Sequence, residues 1–224
     1  MRAKYDGLAA WYEEEQSRVG KRRDAPLEQF AALAGPASGP IVEVGCGTGL
    51  AAAALRARGW AVGGIDLSMD QLRLARTRCD WVAQADAHEL PLRTAGLPAL
   101  GLAFVHTDVD ALDRVLHEVA RVLRPGGRLV CLGVHPCFVG PHVESPTTSG
   151  SRLGLVPGYR TRAYVESSPQ FGPGIRSRVG ARHVPLADYL MAFVGAPLVL
   201  DAVVELGEGV VPWMLGIQAH RARG

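Results

Sequence analysis

Three glycines at alternate positions, Gly45, Gly47 and Gly49, follow the apolar run IVEV (41–44), and an acid, Glu43, stands just before them. A turn this rich in glycine lets the backbone approach a ligand closely, because no Cβ stands in the way. Two phosphate-binding readings fit poorly. A dinucleotide turn needs Gly-x-Gly-x-x-Gly, and Leu50 occupies the place of its last glycine; a P-loop needs Gly-Lys-Ser/Thr after the turn, and none follows. An acid beside the turn suits a cation better than an anion, so a cationic amino acid nucleoside fits. Asp66, Asp86 and His106 each follow a further strand-like run, and His135, His142 and Glu144 fall in VHPCFVGPHVE (134–144). Histidine, with an ordinary pKa of about 6.5, suits proton transfer near neutrality.

These residues need elements to hold them. Helical spacing marks YDGLAAWYEEE (5–15) and APLEQFAALA (25–34), and GPASGP (35–40) ends them. IVEV is a strand, LAAAALRARG (50–59) a helix closed by Gly59, and WAVGGIDL (60–67) a second strand. SMDQLRLARTRC (68–79) is a helix capped by Ser68, and DWVAQAD (80–86) a third strand. A weak apolar segment, 100–105, precedes the amphipathic helix TDVDALDRVLHEVARVLRPGG (107–127), which Pro125 and Gly126 stop. RLVCLGV (128–134) is the next strand. Residues 136–184, rich in Gly, Pro, Ser and Arg, are too long for a plain connection and read as a substrate cap. LADYLMAFVGA (186–196) is a helix, and LVLDAVVEL (198–206) and WMLGIQAHR (213–221) form an antiparallel hairpin. Alternating strands and helices predict an α/β fold with a parallel sheet covered on both faces. Ligands then lie beyond the carboxyl ends of the strands, which puts residues 43–49, Asp66, Asp86 and His106 on one rim.

The length, 224 residues, suits one domain with a modest insertion, and 48% hydrophobic with 21% charged residues argues against wholesale disorder. A net charge of +2 predicts no polyanion partner, and the basic cluster KRRD (21–24) reads as a solvated helix end, so no nucleic-acid partner is expected. Cys46, Cys79, Cys131 and Cys137 lack C-x-x-C spacing and are expected as free thiols in a reducing compartment. Acids in the first 15 residues break any export signal, so a cytoplasmic protein is expected. Gly195, Pro197 and several acids interrupt the apolar stretch 186–206, which predicts no membrane span. A monomer or homodimer is expected.

VEVGCGTG, GIDLSMDQLRLAR (64–76), QADAHELPL (84–92) and LHEVARVLRPGGRLV (116–130), in that order, resemble the motifs of the class I S-adenosylmethionine-dependent methyltransferases. YDGLAAWYEE resembles the opening of the ubiquinone-biosynthesis-like small-molecule branch. The resemblance implies a Rossmann-like, seven-stranded, mostly parallel sheet with helices on both faces and a C-terminal antiparallel hairpin. It divides the single domain into a helical lid (1–34), a cofactor-binding core (41–135), a cap insertion (136–184) and a C-terminal helix and hairpin (185–224). It implies S-adenosylmethionine as cofactor. Gly45, Gly47 and Gly49 then meet the methionine part, with Cys46 in the same turn as an apolar filler and Glu43 orienting the ammonium through the turn. Asp66 accepts from both ribose hydroxyls, Leu67 and Met69 pack on the adenine, and Asp86 with the Ala87 amide reads the adenine edge. His88 and Phe104 complete that pocket, and Tyr5 and Tyr12 close over it. Asp66 and Asp86 alternatively serve as helix caps.

Methyl transfer is an in-line displacement, so catalysis is largely positioning, with a base only where the acceptor carries a proton. His106 or His135 is the candidate base, with His142 and Glu144 shaping the pocket; alternatively these histidines only bond loop backbone. His135, Cys137 and His142 have ligand chemistry, but zinc wants four ligands or three plus a water, and Pro136 stiffens the backbone between two of the three, so no metal is expected. The cap mixes Tyr159, Tyr164 and Phe171 with Arg160, Arg162, Arg176, Arg178 and Arg182, a mixture able to hold an aromatic or carboxylate-bearing molecule. No Asn/Asp-Pro-Pro-Tyr motif follows the fourth strand, which favours a small-molecule acceptor over a nucleobase. One departure stands out: that family's fourth strand usually begins with an acid and an aromatic before a β-branched run, whereas GLPALGLAF (96–104) has neither Asp nor Val. The Ala- and Arg-rich, Lys-poor composition points to a GC-rich bacterial genome, and the resemblance then implies an enzyme of secondary metabolism, with O-methylation favoured. The alternative is a methyltransferase-like protein that keeps the cofactor while promoting cyclisation or rearrangement.

Overall fold

A computed structural model describes residues 3–20, 25–144 and 153–223 of the chain. The basic cluster 21–24 and residues 145–152 of the cap lie outside the described residues. Two N-terminal helices, α1 (Ala9–Gly20) and α2 (Pro26–Ala34), lead into the alternating part. There β1 (Pro40–Val44), α3 (Ala52–Arg56), β2 (Ala61–Asp66), α4 (Met69–Ala75) and β3 (Trp81–Gln84) follow one another. Ser68 caps α4 as expected, its hydroxyl accepting from the Gln71 amide. Then come β4 (Leu97–Ala103), a 3-10 turn at Val105–Thr107, α5 (Leu112–Val122) and β5 (Leu123–Val134).

The seven-stranded sheet has the order β10-β11-β5-β4-β1-β2-β3, where β10 (Leu198–Leu206) and β11 (Met214–Arg221) form the antiparallel C-terminal pair. β1 to β5 run parallel, so their carboxyl ends share one rim. One face of the sheet carries α5 and α7 (Leu186–Gly195), with Val115, Leu116, Tyr189 and Phe193 buried against Val42, Leu100 and Leu129. The other carries α2, α3 and α4, with Phe30, Leu55 and Leu72 against Ile41, Val62 and Leu132. Burial of a side chain such as Phe30, fully inaccessible here, contributes about 1.5–3 kcal/mol.

Several boundaries differ from the sequence expectation, α5 among them, which starts at Leu112 and not at residue 107. β4 starts at Leu97, not near residue 100, and lies in the middle of the sheet between β1 and β5. Covered on both faces, it needs an apolar run and not an alternating one. Small residues serve a purpose there: a Cβ on Gly101 would stand 2.6 Å from the Phe30 ring, so glycine is what lets α2 seat. The helix expected up to Pro125 ends at Val122, and β5 begins at once, Leu123 pairing with Leu97 before the register shifts. Proline disfavours helical geometry in the residue before it, and pairing with β4 takes over one residue earlier still.

The cap carries short structure that periodicity cannot reveal. β6 (Val143–Glu144) pairs with β7 (Gly154–Leu155), β8 (Ala163–Val165) with β9 (Ala181–His183), and α6 (Ile175–Val179) lies between the last two. Among the described residues no helix is long and apolar enough to cross a membrane. Cys46, Cys79 and Cys131 are buried free thiols, and Cys137 is a half-buried one.

Candidate active site

The glycine turn leaves β1 with Gly45, Gly47 and Gly49 at φ of +71°, +55° and +77°, conformations that favour glycine. The amides of Gly45 and Cys46 both donate to the Ile65 carbonyl, at 2.7 and 3.0 Å, which ties the turn to β2. A Cβ on Gly45 would stand 2.6 Å from Val105 Cγ2, and one on Gly49 3.2 Å from the Ala75 backbone, so both glycines are required by packing. Gly47 is different: nothing crowds its open side closer than Gln71 Oε1 at 3.6 Å and Tyr12 Cε1 at 3.9 Å. Cys46 points beneath the turn, its sulfur packed against Gly64, so its side chain is a filler.

The acids divide by what they already hold. Glu43 is 3% exposed, and its Oε2 has no hydrogen-bond partner. Burial, helped by the Asp66 charge, pushes its pKa up to about 8. Asp66 accepts from the Gly47 and Ser68 amides, each at 2.8 Å, which fixes its carboxylate at the end of β2. Burial raises its pKa, against those amide bonds. A carboxylate has about four acceptor sites, so Asp66 acts as a loop cap and still has capacity for two hydroxyl donors. Leu67 is half-buried and Met69 exposed beside it. Asp86 accepts from the His88 amide at 2.9 Å and meets His88 Nδ1 at 2.5 Å. Burial works to raise its pKa, but the two His88 bonds outweigh that and leave it below the usual carboxylate range. His88 Nε2 is buried without a partner, and Ala87 is half-buried against the core.

The N-terminal segment covers this rim. Tyr5 and Tyr12 meet edge to face at 5.6 Å. Burial drives the pKa of Tyr12 up to about 12 and raises that of Tyr5 well above the ordinary phenol value, so both stay protonated near neutrality. The Tyr5 hydroxyl donates to Asp108 at 3.2 Å, and Arg176 of α6 donates to the same carboxylate at 2.9 to 3.1 Å. Lid, rim and cap therefore meet at Asp108. Arg178 lies over the Trp11 ring and Lys4 over the Tyr164 ring, at 4.5 and 3.8 Å. Arg78 joins Glu13 of α1 to the Thr48 carbonyl of the turn.

The candidate histidines do not gather at one point. His106, 6% exposed in the 3-10 turn after β4, packs between Gly133 of β5 and Tyr189 of α7, 4.9 Å from the latter ring. Burial pushes its pKa down to about 4, with Arg176 adding to the effect. His135 faces the hairpin: its Nδ1 accepts from the Cys137 amide at 3.1 Å, which leaves the proton on Nε2 to donate to Glu205 at 3.0 Å. His142 belongs to the cap, with rings of His183 and Tyr159 at 4.4 and 5.2 Å. Its Nε2 donates to the Cys137 carbonyl at 3.3 Å and its buried Nδ1 has no partner. Glu144 is exposed on β6. Phe104, the residue joining β4 to the 3-10 turn, has φ +59° and stacks on Trp213 at 6.3 Å. Left-handed backbone at a bulky residue costs about 1–2 kcal/mol. Among the described residues no cluster of metal-ligating side chains occurs.

Gln71 and Asp108 do not stand out in the sequence, where Arg176 is one cap arginine among several. Gln71 has one local signal, its place three residues past the cap Ser68; the Asp108–Arg176 pair spans 68 residues and has none.

An α/β sheet with a glycine turn, carboxylates and N-terminal tyrosines at its carboxyl rim has the layout that a nucleoside-cofactor enzyme needs. Residues 42–131 match the family described as "Methyltransferase domain". The chain is 32% identical over 180 residues to the ubiquinone/menaquinone biosynthesis C-methyltransferase UbiE of Syntrophotalea carbinolica, covering 68% of this chain and 72% of that protein. It is also 32% identical over 151 residues to the demethylmenaquinone methyltransferase of Tropheryma whipplei strain Twist, 63% of this chain and 62% of that one. In fold it matches the S-adenosylmethionine-dependent methyltransferase from Mesorhizobium loti with a TM-score of 0.69 at 21% identity, over 86% of this chain and 96% of the other. The chain belongs to the class I S-adenosylmethionine-dependent methyltransferases, of the ubiquinone-biosynthesis type. It spans about six-tenths of the length of the curated T. whipplei relatives.

The rim suits that cofactor. Arg78, beside the glycine turn, is already paired with Glu13, while Glu43 offers an unpartnered carboxyl oxygen and Gly47 an uncrowded backbone.

Proposed function

We propose that the protein transfers a methyl group from S-adenosylmethionine to a small, largely apolar acceptor carrying a ring hydroxyl. The observation that supports this most is the juxtaposition of the Gly47 turn, the anchored Asp66 carboxylate and Tyr12 over the same turn. In this reading Asp66 holds the ribose, Asp86 and the Ala87 amide read the adenine edge, and Tyr5 and Tyr12 exclude water. The bound cofactor supplies an electrophilic methyl on a sulfonium. The relatives named as C-methyltransferases favour a ring carbon beside the hydroxyl over the hydroxyl oxygen that sequence alone favoured. Carbon attack needs the hydroxyl proton withdrawn and the ring proton lost afterwards; oxygen attack needs only the first.

The acceptor enters beside the cap, where a cavity of about 830 Å³ is lined by Cys137, Phe138, His142, Leu155, Val156 and Tyr159. Its wall is mainly apolar, which fits a ring. His106 does not line that cavity; neutral at any pH well above about 4, it is in this reading the hydrogen-bond partner, and a weak base, for an acceptor hydroxyl that reaches the rim. Incubating the protein with cofactor and a panel of naphthohydroquinones and phenols tests the reading. The expected outcome is demethylated cofactor together with a product one methyl group heavier, the methyl located on carbon by NMR. A product of unchanged mass would favour cyclisation or rearrangement, and tight cofactor binding with no turnover on any acceptor would overturn the transfer reading. His106→Gln should lower kcat more than cofactor affinity.

A further inference from the structure

Gln71 sits in the first turn of α4 and is 2% exposed. Neither Oε1 nor Nε2 of its amide has a hydrogen-bond partner. A buried amide without partners is costly, because it has given up water and gained nothing in return. Such a group is better explained by a ligand than by the fold. Its place agrees: Oε1 lies 3.6 Å from where a Cβ on Gly47 would stand, on the side of the turn that Tyr12 covers at 3.9 Å. Packing alone would be served as well by methionine or leucine.

The chemistry of the amide narrows what it meets. It offers two donors and an acceptor from one planar group, which matches a partner that accepts and donates side by side. The ribose is served by Asp66, an acceptor held by the Gly47 and Ser68 amides. The zwitterionic amino-acid end remains, and the turn at Gly47 is where it would cross. We infer that Gln71 is a binding residue for the amino-acid end of the cofactor, its Nε2 donating to the carboxylate and its Oε1 accepting from the ammonium. This rests on the cofactor reading above.

The test uses two ligands and the ligand-free protein. S-adenosylhomocysteine carries the amino-acid end; 5′-methylthioadenosine keeps ribose and adenine without it. Calorimetric titration of Gln71→Met should show S-adenosylhomocysteine weakened about ten- to a hundred-fold, the range for hydrogen bonds to charged groups. 5′-Methylthioadenosine should change by less than about two-fold on the same scale. Thermal unfolding of ligand-free Gln71→Met should give a Tm equal to or above that of the original, since two unmet polar groups have gone. A structural role would instead lower Tm and weaken both nucleosides alike, and that result would overturn the inference, as would unchanged S-adenosylhomocysteine affinity. Gln71→Glu gives a second variant: it keeps the shape, loses both donors and repels the carboxylate, so it should weaken S-adenosylhomocysteine at least as much. If the unmodified protein bound neither nucleoside, the methyltransferase reading itself would fail, a result distinct from any Gln71 outcome.

Discussion

The rim and the cap differ in how they treat charged side chains. At the rim, Glu43 and Gln71 are buried with unmet hydrogen-bonding atoms. In the cap and lid the charges are matched, Arg162 with Asp188, Arg182 with Asp110, and Arg176 with Asp108, although single nitrogens of His142 and Arg182 are unmet there too. A region with unmet buried groups is prepared for a partner, whereas one whose charges are paired is engaged in holding itself together. The cap arginines that sequence offered for a carboxylate-bearing acceptor are therefore mostly fasteners. Arg178 also serves this way, over Trp11, and Arg160 alone among the five lines the cap cavity. On the proposed reading, polar recognition concentrates on the cofactor and the acceptor meets the mainly apolar wall of that cavity.

The largest effect should come from the rim. Asp66→Ala removes the acceptor for two ribose hydroxyls and unties the Gly47 and Ser68 amides. At about 1.5–3 kcal/mol for each charged hydrogen bond, S-adenosylhomocysteine affinity should fall by about a hundred-fold or more, read by calorimetry. An affinity within a few-fold of the original would mean that Asp66 is a loop cap and nothing else.

Glu43 gives the next effect, through pH. Its pKa is raised from 4.5 to about 8, so between those values the folded chain holds a proton that the unfolded chain has released. Stability then falls as pH rises: the contribution is complete below about pH 4.5 and is lost by about pH 8, at about 1.4 kcal/mol for each pH unit crossed in between. Glu43→Gln should flatten that slope in denaturant titrations across the window. An ammonium held near Glu43 favours its ionised form, so S-adenosylhomocysteine uptake near pH 7 should release a proton, visible as a dependence of binding heat on buffer ionisation. Glu43→Gln should abolish it. Heat that is independent of buffer in the unmodified protein would separate Glu43 from the ammonium.

The same contrast explains what can be read from the residues in advance. The rim is legible because its ligand geometry lies in one contiguous turn, and Asp66 and Asp86 come directly after strand-like runs. The parallel sense of β1 to β5 follows from alternation, and even the atypical β4 takes a central place. Its start at Leu97 and that of β5 at Leu123 are not legible, because pairing of those two residues across the sheet sets both. In the cap, strands of two and three residues carry no period to detect. Gln71 reads as an ordinary polar residue in an amphipathic helix; its lack of partners exists only in three dimensions. His135 shows the reverse, a reactive type at a promising position whose two nitrogens turn out to be engaged with Cys137 and Glu205.

The smallest effects sharpen the distinction among the fasteners themselves. Arg176→Ala takes the cation from a half-buried pair, with side chains 24% and 22% exposed, and leaves Asp108 the Tyr5 hydroxyl but no cation. A carboxylate without its ion-pair partner is then left at the junction of lid, rim and cap. Stability should fall by about 1–3 kcal/mol, and release of S-adenosylhomocysteine in stopped flow should accelerate about five- to ten-fold, because the cap loses its hold on the carboxylate that Tyr5 grips. Arg162→Ala is the companion test. Its side chain is 69% exposed beside Asp188, where water and salt screen the pair. Neither the unfolding midpoint nor the release rate should change measurably. Equal acceleration in both variants would show that the cap loosens as a whole, and that the junction at Asp108 has no special part in holding the lid over the turn.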